Sequence, residues 1–273
     1  MRILLLVISL LFLGCQKDEK TTLAANEWIG YAPIFYANEK GWLKKINIRL
    51  IRTVSLAESV KLYKSGFVCG LAATQYEYEQ LSNSLKPVVL LDKSYGGDMI
   101  LSNKSLKEVL HSKIYAYLEI DSVNSLLLSS FLEEHSIPLS RVEFIDNDQA
   151  QLAKMKFDLN KTNLIVTYAP YDVLYKKMGF KVLASTKSDS SLLVVDAVFV
   201  DKHSHLDSRF KKYIKKAIQK IKADPKQVFD VVKNYYPQYD NYDEFKKALS
   251  KIEWLDNPSE NLVKKLKKLK LCE

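Results

Sequence analysis

The chain holds 273 residues, 47% of them hydrophobic and 27% charged, with no internal repeat or low-complexity stretch. That is a globular composition, and the length suits one large domain or two lobes. Forty-one basic residues against 32 acidic ones leave a formal charge of +9, which raises nucleic-acid binding as a class to weigh against the rest of the chain.

Arg2 precedes an apolar run over residues 3–13. The run is about half the ~20 residues that a membrane-spanning helix needs, and it has the length of a signal-peptide core. It closes in Leu13-Gly14-Cys15, which resembles the bacterial lipobox, with Phe12 where that motif usually has Leu. Cleavage before Cys15 would remove 1–14, place lipid on the Cys15 thiol and leave 15–23 as a polar tether on the periplasmic side of a bacterial membrane. Export argues against a nucleic-acid partner, and loss of Arg2 trims the side-chain charge to +8. The lysines of 210–222 and 261–270 alternate with apolar residues at helical spacing, which reads as solvated faces of amphipathic helices. Contact with an acidic membrane surface is the sharper alternative.

From residue 23 onward strands and helices alternate. A strand is expected over 23–29 and a helix over 32–40, with Pro33 in its first turn and Gly41 at its end. Residues 46–52 alternate as a strand. Ser55 and Glu58 make a capping-box pattern for a helix over 56–64, which Gly66 stops. A strand over 68–73, a helix over 74–81 and strands over 86–92 and 98–102 follow. Next come a helix over 105–111, a strand over 114–118, a helix over 122–135, a strand over 142–145, a helix over 148–158 and a strand over 164–167. A helix over 170–178 and strands over 181–184 and 194–200 complete the alternation. From 208 the chain reads as helical, broken at Pro225, Pro237 and Pro258. Such alternation with short links predicts an α/β fold with largely parallel sheets.

Trp28-Ile-Gly-Tyr-Ala-Pro33, continued by Ala37-Asn-Glu-Lys-Gly41, resembles the opening motif of periplasmic solute-binding proteins of the nitrate/sulfonate/taurine transport type. Three segments continue the likeness in order. Residues 66–74 carry Cys69 in place of an acidic residue, Asp92-Lys-Ser-Tyr-Gly-Gly-Asp98 follows, and Val166-Thr-Tyr-Ala-Pro170 with Val195-Asp196 carries Ala169 in place of Glu. The likeness spans about 26–205. It implies a two-lobe periplasmic-binding-protein type II fold, with lobe one from 24–98 and 197–273 and lobe two from 99–196. Two strands, near 98–102 and 194–200, would cross between the lobes as a hinge. It also implies capture of a small-molecule ligand for an ABC permease, without a cofactor. A lipid-anchored sensor that presents its closed form to a membrane receptor fits the same residues.

Ligands of open α/β sheets sit beyond the carboxyl ends of strands. Trp28 and Tyr31 are placed there to stack on a ligand, with Gly30 admitting close backbone approach; core packing is the competing reading. Thr74 and Gln75 open a helix after the third strand, and Asp121 and Ser122 hold the corresponding place in lobe two. They either bind ligand oxygens or cap helices. Tyr168 would close one wall. Gly97 and Asp98 at one crossing, and Asp196 at the other, mark the hinge mouth. Two carboxylates facing one cleft repel unless a cation lies between them or one is protonated. Asp98 and Asp196 therefore point to a ligand with a cationic nitrogen, against the alternative of turn capping or pairing with lysine.

Cys69 and Cys272 leave a disulfide and free thiols both open. His203-Ser-His205 has no third metal ligand nearby, and no Cys-x-x-Cys, Gly-x-Ser-x-Gly or phosphate loop occurs. Thiamine-pyrimidine-precursor synthases resemble the implied fold but carry a clustered-cysteine motif that is absent here, so an enzyme is not expected.

Overall fold

The computed structural model describes residues 20–187, 192–204, 206 and 208–272. The expected signal segment 1–14, Cys15, the tether as far as residue 19, and His205 lie outside the described residues.

Strands β1 (Thr21–Ala25), β2 (Ile48–Arg52), β3 (Gly70–Thr74) and β4 (Leu85–Ser94) join β10 (Val195–Asp201) and β11 (Ile252–Trp254) in a six-stranded sheet, ordered β11-β4-β10-β3-β1-β2. Strands β5 (Asp98–Ser102), β6 (Ile114–Leu118), β7 (Val142–Asp146), β8 (Thr162–Tyr168) and β9 (Lys181–Ser185) form a five-stranded sheet, ordered β7-β6-β8-β5-β9. The two sheets share one plan. A parallel trio, β2-β1-β3 or β7-β6-β8, lies beside the strand that has just arrived from the other sheet. The chain leaves the six-stranded sheet through 95–97 to begin β5, and returns through 186–194 to begin β10. Both arriving strands are antiparallel to the neighbours on either side.

The expectation of largely parallel sheets is therefore corrected: three of the five strand pairings in the six-stranded sheet and two of the four in the five-stranded sheet are antiparallel. The reason is geometric. A strand that arrives from the facing sheet starts at the edge where the parallel strands end. Asp98 and Asp196, at the starts of β5 and β10, thus share an edge with the carboxyl ends of β1, β3, β6 and β8.

Strand side chains alternate between faces, and burial follows. Leu23 and Ala25, Met99 and Leu101, Ile165, and Val198 and Val200 enter one large core that runs beneath both sheets. Ala24, Leu71, Ala73, Ala197 and Phe199 fill a second core on the other face of the six-stranded sheet. Ile100, Ile114, Leu118, Leu164 and Val166 fill a third, against helix Val123–Glu134. Helix Arg209–Ala223 buries Phe210, Ile214, Ala217, Ile218 and Ile221 at 3–4 residue spacing and turns its lysines outward, the amphipathic arrangement expected.

Three expected elements differ. The first strand starts at Thr21, inside the expected tether, and ends at Ala25; Ile29–Tyr31 is a 3-10 turn. The strand stops because its partner β2 ends at Arg52, whose guanidinium turns to the Glu27 carboxylate. The helix expected over 148–158 is only Gln149–Leu152. Phe157 leaves that helical path to pack edge-on against Tyr117, Tyr175 and Phe180. Strand β11, three residues at the edge of β4, falls inside a region expected to be helical. Cys69 and Cys272 are free thiols. No helix among the described residues is long and apolar enough to cross a membrane.

Candidate ligand cleft

Between the two sheets lies a small chamber with room of about 20 Å3, the size of one water. Of the residues named from sequence, Trp28, Tyr31, Thr74, Asp98, Ser122, Tyr168 and Asp196 line it. Asn26, Leu56, Glu119, Val123 and Asn124 complete the wall.

Three buried carboxyl groups cluster here, of which Asp98 and Asp196 line the chamber and Asp92 does not. Asp92, Asp196 and Thr74 lie in register across β4, β10 and β3, so the two aspartates share a face of the sheet. The Asp196 Oδ1 accepts from the Tyr31 hydroxyl at 2.7 Å, and the Asp92 Oδ1 accepts from Trp28 Nε1 at 3.2 Å. Burial pushes Asp92 well above the usual carboxylate range, the Trp28 donor opposes the shift, and Asp98 adds to it. Asp196 is raised likewise by burial, then by Asp92, with the Tyr31 hydroxyl acting against. Burial lifts Asp98 to about 6, moderated by the Ser94 hydroxyl. Gly30 is required here: a Cβ on it would lie 1.9 Å from Asp92 Oδ2.

Aromatic rings form the adjacent wall. Tyr168 meets Trp28 edge-on at 6.0 Å and its hydroxyl accepts from Asn26 Nδ2 at 2.9 Å. Glu27, between Asn26 and Trp28, is held by Arg52, by the Tyr171 hydroxyl at 3.1 Å and by Gln238 Nε2 at 2.5 Å. The Tyr236 hydroxyl donates to the Trp28 carbonyl at 3.1 Å. These bonds fix the turn that aims Asn26 and Trp28 into the chamber.

The remaining sequence candidates serve otherwise. Gln75 bridges the returning chain, donating to the Leu193 carbonyl at 2.6 Å and accepting from Val195 N–H at 2.7 Å. Gly97 abuts the Trp28 ring, 2.3 Å from where its Cβ would stand, and its carbonyl accepts from Ala169 N–H. Asp121 is exposed with a φ of 61° and lines a wider outer cavity of about 860 Å3 at the mouth. Thr74 and Ser122 cap their helices, Thr74 in a reciprocal box with Glu77. Missed in the sequence were Asn26, Asn124, Asp92, Glu77 and Glu119. Asn26 and Glu119 each sit one residue beyond a strand end, Ala25 and Leu118, where the strand-end rule would have found them.

Among the described residues no lysine, arginine or histidine lines the chamber, and no group of three or more His, Cys, Asp or Glu is disposed to hold a metal.

Several solved structures share this layout. The alkanesulfonate-binding protein SsuA of Xanthomonas axonopodis pv. citri superposes with a TM-score of 0.68 at 11% identity, over 95% of this chain and 96% of that one. A product of Candida albicans, described as having the generic periplasmic binding protein structural fold, gives 0.65 at 13% identity over 92% and 89%. This chain has the periplasmic-binding-protein fold. The zinc-bound ligand-binding component of an ABC-type import system from Staphylococcus aureus gives 0.64 at 15% identity over 91% and 90%. No protein-family model matches the chain, and no curated protein sequence matches it. The chamber lies between the two sheets, at the carboxyl ends of both parallel trios.

Proposed function

We propose that the chain is an extracytoplasmic solute-binding protein. It captures a small polar ligand bearing a cationic nitrogen between two lobes, 24–98 with 197–273 and 99–196, and delivers it to an ABC permease. Lipid on Cys15 would hold it at the membrane, where tethering raises its effective concentration near the permease. The observation that carries the reading is a chamber lined from both sheets at once, so that a bound solute bridges them. Bridging favours the closed state, and a membrane partner can recognise that state. Two of the neighbours named above, the alkanesulfonate-binding protein and the import-system component, are ligand-binding proteins, which supports the same role.

Mass spectrometry of small molecules released from freshly purified protein, followed by a thermal-shift screen of amines, sulfonates and pyrimidines, tests this. A compound returned unchanged is expected, and at a hundredfold excess over its Kd it should stabilise the fold by about 2.7 kcal/mol. Turnover of the bound compound, or no compound and no stabiliser, overturns the reading.

A further inference from the structure

Two carboxylates cross the cleft in opposite directions. Glu119 follows β6 of the five-stranded sheet and accepts, at 2.5 Å, from Ala57 N–H in the first turn of helix Leu56–Lys64 on the other side. Glu77, from the six-stranded side, accepts at 3.1 Å from Val123 N–H, the first residue of helix Val123–Glu134. A helix N-terminus, with its free N–H groups and positive dipole end, is a ready anion site. The N-termini of helices Leu56–Lys64 and Val123–Glu134 are each met by one of the chain's own carboxylates.

What the chamber leaves unpaired is of the opposite kind. Asn26 Oδ1, Asn124 Oδ1, Asp98 Oδ2 and Glu119 Oε2 have no donor, in residues 2%, 1%, 5% and 3% exposed. All four are acceptors, and all four residues line the cavity. A buried acceptor left unpaired costs about 1–3 kcal/mol, so the site favours a ligand rich in N–H donors. The mouth agrees. Although the chain carries +9 overall, its outer cavity is lined by five carboxylates, Glu58, Asp121 and Asp146 among them, against Lys61 and Lys64. Glu119 lines both cavities and stands between them.

We propose that Glu77 and Glu119 determine specificity: by sealing both helix N-termini against oxyanions they leave a cleft that selects a small cation with N–H donors, a primary ammonium or a guanidinium. Quaternary ammonium ions are disfavoured with the oxyanions, because they bring charge but no donor. An ammonium head is about the size of a water and suits the inner chamber, while the rest of the ligand extends past Glu119 into the mouth. This rests on the solute-binding reading and names its substrate class.

The test is calorimetry at neutral pH with ethylammonium, guanidinium, tetramethylammonium, ethanesulfonate and nitrate, together with X-ray scattering to follow lobe closure. Wild-type protein should bind ethylammonium or guanidinium, bind tetramethylammonium about tenfold more weakly or worse, and give no heat with the anions. Glu119→Gln and Glu77→Gln keep side-chain volume and should lower cation affinity about tenfold. Glu119→Ser frees a helix N-terminus and should create ethanesulfonate binding. Should that variant not fold, the two Gln variants still decide. An unchanged cation-to-anion affinity ratio in the variants overturns the proposal. So does an anion that binds and closes the wild-type lobes, although solute binding then stands. If no probe binds, the compound released on denaturation decides: an N–H-bearing cation supports the proposal and any other compound overturns it. No probe bound and no compound released overturns both readings.

Discussion

Asp92, Asp98 and Asp196 are carboxyl groups withdrawn from water into one small space, and a single charge change there should be felt by the ligand. Asp98→Asn and Asp196→Asn each keep shape and hydrogen-bonding while removing a charge that a cation would pair. Each should weaken binding of an amine ligand at least about tenfold, because truncating a buried charge pair costs ~2–5 kcal/mol. Calorimetry that found unchanged affinity in both variants would remove the cationic-ligand reading. The glycines beside them make a steric prediction of a different kind. A Cβ on Gly30 meets Asp92 Oδ2 at 1.9 Å and Trp28 Nε1 at 2.4 Å, and one on Gly97 meets the Trp28 ring at 2.3 Å. Gly30→Ala and Gly97→Ala must therefore displace Trp28, at about 1–3 kcal/mol for overpacking. Denaturant unfolding and a shift in tryptophan emission should report both; unaltered emission would mean that Trp28 is not held as described.

The elements were legible where local chemistry alone decides them. The strand Ile114–Leu118 and the helix Leu56–Lys64, capped by Ser55, stand where alternation and capping residues placed them. What escaped depends on distant partners. Asp92 lies inside a strand that the sequence shows plainly, but only the β4–β10 register sets it opposite Asp196. Glu77 closes a capping box with Thr74 that the sequence reading did not single out, and its bond to Val123 joins two elements that no local pattern connects. Asn26 was hidden by a strand expected to run on to residue 29. Strand β11 is short enough to escape a periodicity signal, yet a buried tie forms just before it. Asp172 of helix Asp172–Lys177, 1% exposed, accepts from Lys176 at 2.6 Å and from Lys251 at 2.5 Å, so the helix beside β5 is bound to the C-terminal segment beside β4. Burial draws the Lys251 pKa down, and Asp172 opposes that. Asp172→Asn removes the counter-charge from a largely buried lysine and should cost ~3 kcal/mol by denaturant unfolding. Lys251→Met leaves Asp172 paired with Lys176 and should cost less; equal losses would mean that Lys251 contributes packing alone.

At the scale of the whole molecule, the buried carboxyls would couple the proposed lobe closure to pH, with a sign that can be worked out. Asp98 is raised to about 6 and Glu77 to about 7, chiefly by burial, and Asp92 and Asp196 lie well above the ordinary range. In an opened or unfolded chain such groups titrate near ~4. Their folded pKa values are raised, so the stability they contribute is fully present below pH ~4 and is lost as pH rises through about 6 and 7. Asp98 and Glu77 would account for on the order of 3 kcal/mol each over that window, at ~1.4 kcal/mol per unit. On the proposed two-lobe reading, opening the lobes would return the carboxylates to water and relieve the penalty without unfolding either sheet. The ligand-free protein should therefore melt at a higher temperature at pH 5 than at pH 8, and X-ray scattering should show a larger radius at pH 8. A cationic ligand pairs with the ionised forms, so its affinity should rise across the same interval, proton release should appear as buffer-dependent binding enthalpy, and the melting difference should shrink when it is bound. Asp98→Asn should flatten part of the ligand-free slope. A melting temperature that climbs from pH 5 to pH 8 without ligand would show that these carboxyls are solvated in the closed state, and the coupling between proton loss, opening and cation capture would fall with it.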